Sequence, residues 1–177
     1  MLKRLVLELD KITVLGIDPG LALTGFGIVS KDKDKFEVIE YGVIKTSVKK
    51  IIPDRLKELN EGLSKVIISN QIDHVAVEKI FFNTNLKTVV IVSEARGVIL
   101  FTLSSFNKKV FEYTPLEVKK AIFGSGRATK EEIIVSVTNI LNLEKEPKPD
   151  DVADALAIAL CHIYSIPYLE KVDVCTD

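Results

Sequence analysis

Three strand-length apolar runs stand within the first 45 residues, and the links between them allow only reversals of direction. Ile12–Ile17 leads into Asp18, Pro19 and Gly20. Gly25–Ser30 follows, then Lys31–Lys35, where lysine and aspartate alternate, then Phe36–Lys45. Strands joined this tightly pair antiparallel, because a parallel pair needs a crossover of a dozen or more residues. The chain therefore opens as an antiparallel meander, and everything later must be added to it.

From residue 53 the period changes. Leu56, Leu59, Leu63, Val66 and Ile67 recur at helical spacing behind Pro53, which suits a first helical turn. Ile72–Glu78 then reads as a buried strand. Reached through a helix, it lies parallel to the first strand. Asn85–Phe106 reads as a long helix, apolar almost all round, and Lys109–Tyr113 as a fifth strand. Thr114 caps a short helix with Pro115 at its first position. Thr129, with Glu132 three residues on, caps another through Leu141. The charged, proline-bearing stretch 144–149 is a loop, and Asp150 or Asp151 starts a last helix running towards Tyr164. The order βββαβαβαα(α) predicts one α/β domain with a mixed five-stranded sheet flanked by helices. Residues 1–11 form an extension before it and 165–177 a tail after it.

At 177 residues and 47% hydrophobic, the chain is long enough to bury a full core. Its longest apolar stretch, Leu86–Phe106, is interrupted by Lys87, Glu94 and Arg96, so no membrane helix is expected. Met1–Asp10 imitates a secretory signal only weakly: its apolar centre is short and no small-residue cleavage site follows. A cytoplasmic location is the expectation. Cys161 and Cys175 are too few for a disulfide framework, and neither stands at zinc spacing from another soft ligand. Cys161 reads as a small core residue.

Three short motifs place acids where regular elements end or begin: Gly16-Ile17-Asp18-Pro19-Gly20, Val75-Ala76-Val77-Glu78 and Asp151-Val152-Ala153-Asp154. Each acid has a plain reading: Asp18 as a turn former, Glu78 as an exposed strand end, Asp150 or Asp151 as an N-cap. Asp154 does not fit, because it interrupts the apolar run Val152–Ile163 and must face water or a cation. Parallel first and fourth strands bring Asp18 and Glu78 out side by side, and Asp151 and Asp154 share a helix face. Acids gathered this way repel unless a cation lies between them. All-oxygen ligands suit Mg²⁺, with Mn²⁺ as an alternative, and such sites serve metal-assisted phosphodiester hydrolysis.

The net charge of −1 argues mildly against a nucleic-acid protein. Between Lys119 and Lys130, however, stand Lys119, Lys120, Arg127 and Lys130 with no acid among them, beside Gly124 and Gly126. That local positive field suits a phosphate backbone. Phe81 and Phe82 follow Glu78 directly. They either anchor a loop on the core or offer a stacking surface to unpaired bases. His74 and His162 read as packing or surface residues.

Leu15–Gly20 with Thr24-Gly25-Phe26-Gly27, Val77–Phe82, Glu94–Val98 and Asp151–Ala159 together resemble the RuvC family of Holliday junction resolvases, which has an RNase H-like fold. The resemblance spans about Val14 to His162. It implies a homodimeric endonuclease that cuts four-way DNA junctions in recombination and repair, leaving 5′-phosphate and 3′-hydroxyl ends. It implies Asp18, Glu78, Asp151 and Asp154 as catalytic acids holding two Mg²⁺ ions per subunit. It places Phe81 as an aromatic stacking residue, and Lys119 and Lys130 as DNA-binding cations. It also implies two partners, the junction-binding protein RuvA and the branch-migration motor RuvB. Gly16-Ile17-Asp18 with Gly20 also looks like the first phosphate loop of actin and sugar-kinase type proteins. Those close two such domains around a nucleotide, and this sequence carries one such loop.

Overall fold

A computed structural model of the chain describes residues 11–79 and 86–173. The predicted meander is β1 (Ile12–Asp18), β2 (Leu23–Asp32) and β3 (Lys35–Lys45), antiparallel throughout. Lys33, at φ 53°, makes the turn between β2 and β3. β4 (His74–Glu78) joins the other side of β1 in parallel, and β5 (Lys109–Tyr113) joins β4 in parallel. The sheet order is β3-β2-β1-β4-β5.

Alternation along the strands sorts two cores. Ile12, Val14 and Ala76 belong to one; Leu15, Ile17, Val75 and Val77 belong to the other. The second face is covered by α1 (Ile52–Ser69) and α2 (Leu86–Ser105), through side chains such as Leu59, Leu63, Ala95 and Ile99. The first is covered by α3 (Pro115–Phe123), α4 (Lys130–Ile140) and α5 (Asp150–Asp173). Thr114 and Thr129 form the capping boxes their sequences predict, and Gly124 closes α3 in the left-handed conformation.

α5 is the pillar of the molecule. From Val152 to Ile163 every residue but Asp154 is buried. Each fully buried leucine or isoleucine is worth about 1.5–3 kcal/mol, so the helix cannot slide cheaply and its first turn is fixed in place. It also runs beyond Tyr164 to Asp173, with Pro167 inside it. The expected tail from residue 165 is thus helical in part, and the helix passes through Pro167 although proline lacks the N–H that would bond back to Ile163. Among the described residues, no helix is long and apolar enough to cross a membrane.

Candidate active site

Parity along β1 and β4 decides where two of the acids point. Gly16 and Asp18 share a face with Val14, and Glu78 shares a face with Ala76, so both acids emerge on the α5 side. Ile17 pairs with Val77 across the parallel strands, which brings Asp18 and Glu78 out together as expected. Asp18 also pairs with Gly25 on β2, and Gly25 lies directly under the backbone of Asp151. Asp151 and Asp154, three apart in the first turns of α5, face the same sheet edge, where the helix dipole favours negative charge.

The crowding shows in the electrostatics. Burial pushes the Asp18 carboxyl up to about 8, with Glu78, Asp154 and Asp151 adding repulsion and Lys130 opposing. Burial and Asp154 push Glu78 up to about 7. Asp154 is raised too, by burial first, against the pull of Lys130. Four carboxylates with no histidine or cysteine among them form a hard-oxygen donor set, and their shared deficit is positive charge. A divalent cation of the Mg²⁺ or Mn²⁺ type fits that chemistry. Among the described residues, no three His, Cys, Asp or Glu side chains stand close enough to enclose an ion as placed. A lysine meets part of the charge instead.

That lysine is Lys130, at the first position of α4. Its Nζ lies 3.3 Å from Asp154 Oδ2 and 3.3 Å from Asp150 Oδ2. Burial works against its ammonium, but Asp154 and Asp150 outweigh this and hold it above the ordinary lysine range. Lys119, from α3, donates to the Ala128 carbonyl at 2.7 Å. Glu78, Lys119, Lys130 and Asp154 line one cleft of about 200 Å³, floored by Val118 and Ile133. The structure thus brings Lys119 and Lys130 to the acids. Lys120 and Arg127 are exposed on the same α3–α4 segment, outside that cleft. Phe81 and Phe82 lie outside the described residues.

Two features escaped the sequence reading. Asp150 was legible only as a cap, and its contact with Lys130 needs the packing of α4 on α5. His162, read as packing or surface, is wholly buried with both ring nitrogens engaged. Tyr113 Oη lies 2.7 Å from its Nδ1 and His74 Nδ1 lies 2.9 Å from its Nε2.

Comparison with known proteins identifies the family. Residues 14–162 match the family described as crossover junction endodeoxyribonuclease RuvC. The crossover junction endodeoxyribonuclease RuvC of Alkaliphilus metalliredigens is 52% identical over 152 residues, 86% of this chain and 93% of that protein. That of Caldicellulosiruptor saccharolyticus is 52% identical over 153 residues, 86% and 92% of the two chains. Thermus thermophilus RuvC, solved in complex with a Holliday junction substrate, superposes with a TM-score of 0.84 at 34% identity, covering 89% of this chain and 96% of that one. A yeast mitochondrial Holliday junction resolvase shares the fold, with a TM-score of 0.67 at 13% identity over 89% of this chain and 80% of its own. The mixed sheet, the helix that crosses it and the matched residues agree: the chain belongs to the RuvC family of crossover junction endodeoxyribonucleases.

Proposed function

We propose that this chain is a structure-selective endonuclease that resolves four-way DNA junctions by paired, symmetric nicks, in recombination and repair. The observation that carries the reading is the convergence of Asp18, Glu78, Asp151 and Asp154 on one sheet edge beside Lys119 and Lys130. The Thermus relative solved with a Holliday junction substrate supports the choice of DNA.

Asp18, Glu78, Asp151 and Asp154 would hold two Mg²⁺ ions per subunit, with Mn²⁺ as a substitute. The ions would supply Lewis acidity to activate the attacking water and to stabilise charge on the leaving 3′ oxygen. The chain does the rest. The rigid end of β1 and the buried first turns of α5 fix the carboxylates, so little reorganisation is needed on reaction. Lys119 and Lys130 neutralise charge on the scissile phosphate, and Lys120 and Arg127 extend the positive surface along the strand. Phe81 stacks on a base at the junction centre. Products carry a 5′ phosphate and a 3′ hydroxyl.

The unit is one nuclease domain acting as a homodimer in the cytoplasm, with RuvA and RuvB as partners. A junction has two equivalent strands to cut, and a two-fold pair presents two sites to them. The face of α2 that exposes Val90, Ile91 and Phe101 is the proposed contact. The direct test is cleavage of a synthetic four-way junction in Mg²⁺, with linear duplex and RNA–DNA hybrid as controls. Paired nicks in the junction alone are expected. Cleavage of the hybrid instead would keep the acid site but overturn the substrate.

A further inference from the structure

Three glycines on the α5 face of the sheet lie directly beneath α5, and each meets a different part of it. A Cβ on Gly16 would overlap the Ala155 carbonyl oxygen and sit 2.7 Å from the Ala159 nitrogen. A Cβ on Gly25 would overlap the Asp151 carbonyl oxygen and sit 2.6 Å from the Asp151 carbonyl carbon. A Cβ on Gly27 would meet the Leu156 side chain, at 2.6 Å from Cδ2 and 2.8 Å from Cγ, with the Leu156 Cα at 3.2 Å. The backbone contact there is 3.2 Å against 2.0 Å at Gly16 and Gly25, so at Gly27 the side chain takes most of the clash, whereas at the other two the helix backbone has to move.

Gly25 is singular among the three because it touches the site from both sides. It is the sheet partner of Asp18, and it lies beneath the backbone of Asp151. We propose that Gly25 is a positioning residue of the acid site, whose missing side chain sets the height of the first turn of α5 and so the separation of Asp151 from Asp18. Gly16 acts four to eight residues further along α5, where the helix is buried on all sides and its height is fixed. A methyl at position 25 therefore tilts the first turn rather than lifting the helix. Bringing the 2.0 Å approach to the Asp151 carbonyl oxygen out to the 3.4 Å of ordinary contact needs a shift of about 1.4 Å, and a displacement of even about 1 Å costs roughly 100-fold in rate where alignment matters.

This inference rests on the reading of the four acids as metal ligands. The test compares wild type, Gly25→Ala, Gly27→Ala, Asp151→Glu and the pair Gly25→Ala with Asp151→Glu. Readouts are Mn²⁺ affinity by calorimetry, thermal midpoint, junction affinity without metal, and junction cleavage. For Gly25→Ala, Mn²⁺ affinity should fall 10- to 100-fold, as when groups supporting a metal site are displaced. Cleavage should fall about 100-fold, with metal-free junction affinity unchanged. Gly27→Ala should lower the midpoint yet keep wild-type Mn²⁺ affinity. Asp151→Glu should weaken Mn²⁺ binding in the wild-type background and restore part of it beside Gly25→Ala, because its extra methylene spans the added distance.

Wild-type Mn²⁺ affinity in Gly25→Ala overturns the proposal, as does an equal loss in Gly27→Ala. So does a Gly25→Ala chain that fails to fold, since the strain would then lie in the core and not at the site. A wild-type chain that neither binds Mn²⁺ nor cuts the junction overturns the functional reading instead.

Discussion

Burial first, and then repulsion from Glu78, Asp154 and Asp151, makes the Asp18 carboxylate costly in the fold, and that makes the metal-free chain sensitive to alkali. A carboxyl whose folded pKa lies above its unfolded one holds its proton more tightly in the fold. Its contribution to stability is complete below the unfolded value of 3.8 for Asp18 and 4.5 for Glu78. It is lost as pH rises through about 7 for Glu78 and about 8 for Asp18. The metal-free midpoint should therefore fall progressively from about pH 4 to about pH 8 and level off above that. Mn²⁺ should raise the midpoint more at the alkaline end, because it competes with those protons. A metal-free midpoint flat across that window would show that the acids are not crowded. Asp18→Asn should remove most of the decline. It should also slow junction cleavage by roughly 10²–10³-fold or more, the scale seen when a preorganised electrostatic partner is removed, while gel-shift affinity for the junction persists. Asp18, Glu78 and Asp151 were legible as candidates because each stands where an apolar run stops or starts, and Asp154 because it interrupts one. Asp150 was not, because its role depends on Lys130 arriving from another helix.

Among the elements, α5 carries a second buried device, far along the helix from the acids. Burial holds the His162 imidazole down to about 4, with His74 and Lys109 adding. A histidine depressed in the fold contributes fully above its unfolded value of 6.5 and loses that contribution as pH falls towards about 4. The loss is about 3 kcal/mol in all. Because the acids push stability the opposite way over the same range, the histidine shows only as a difference. The stability gap between wild type and His162→Gln, measured by urea unfolding, should narrow from pH 7 to pH 4.5. A constant gap would place the imidazole proton outside the folding equilibrium. Tyr113→Phe strips His162 Nδ1 of its 2.7 Å partner, and should cost about 1–3 kcal/mol at neutral pH. Local chemistry made most elements legible: Thr114 and Thr129 announce their helices because the cap and its glutamate lie three residues apart. The Tyr113–His162–His74 chain joins residues from three elements, so no local signal could reveal it. The end of α5 was misjudged: the helix continues through Pro167 to Asp173, although residues 165–177 read as a tail.

At the scale of the whole molecule, order along the chain determined the sheet, because reversals and crossovers leave few topologies open. What a single chain cannot encode so directly is how two copies meet. α2 buries Ala95, Ile99 and Leu103 against the sheet, yet leaves Val90 56% and Phe101 69% exposed on its outer side. Val90, Glu94, Gly97 and Phe101 follow at steps of four, three and four, so they share one stripe, and nothing lies within 4 Å of where a Gly97 Cβ would point. A stripe with exposed apolar residues at both ends and a flat point at Gly97 suits a second helix, and in a two-fold pair each copy presents the same patch to the other. Phe101→Asp puts a charge at the most exposed apolar position of that stripe without touching the acids. Sedimentation at micromolar concentration should show the mass falling from dimer to monomer, with Mn²⁺ affinity unchanged. On a four-way junction the two strands should then be nicked in separate events, leaving singly nicked intermediates where the parent chain leaves resolved duplexes. A Phe101→Asp chain that stays dimeric and cuts both strands together would move the interface to another face of the fold.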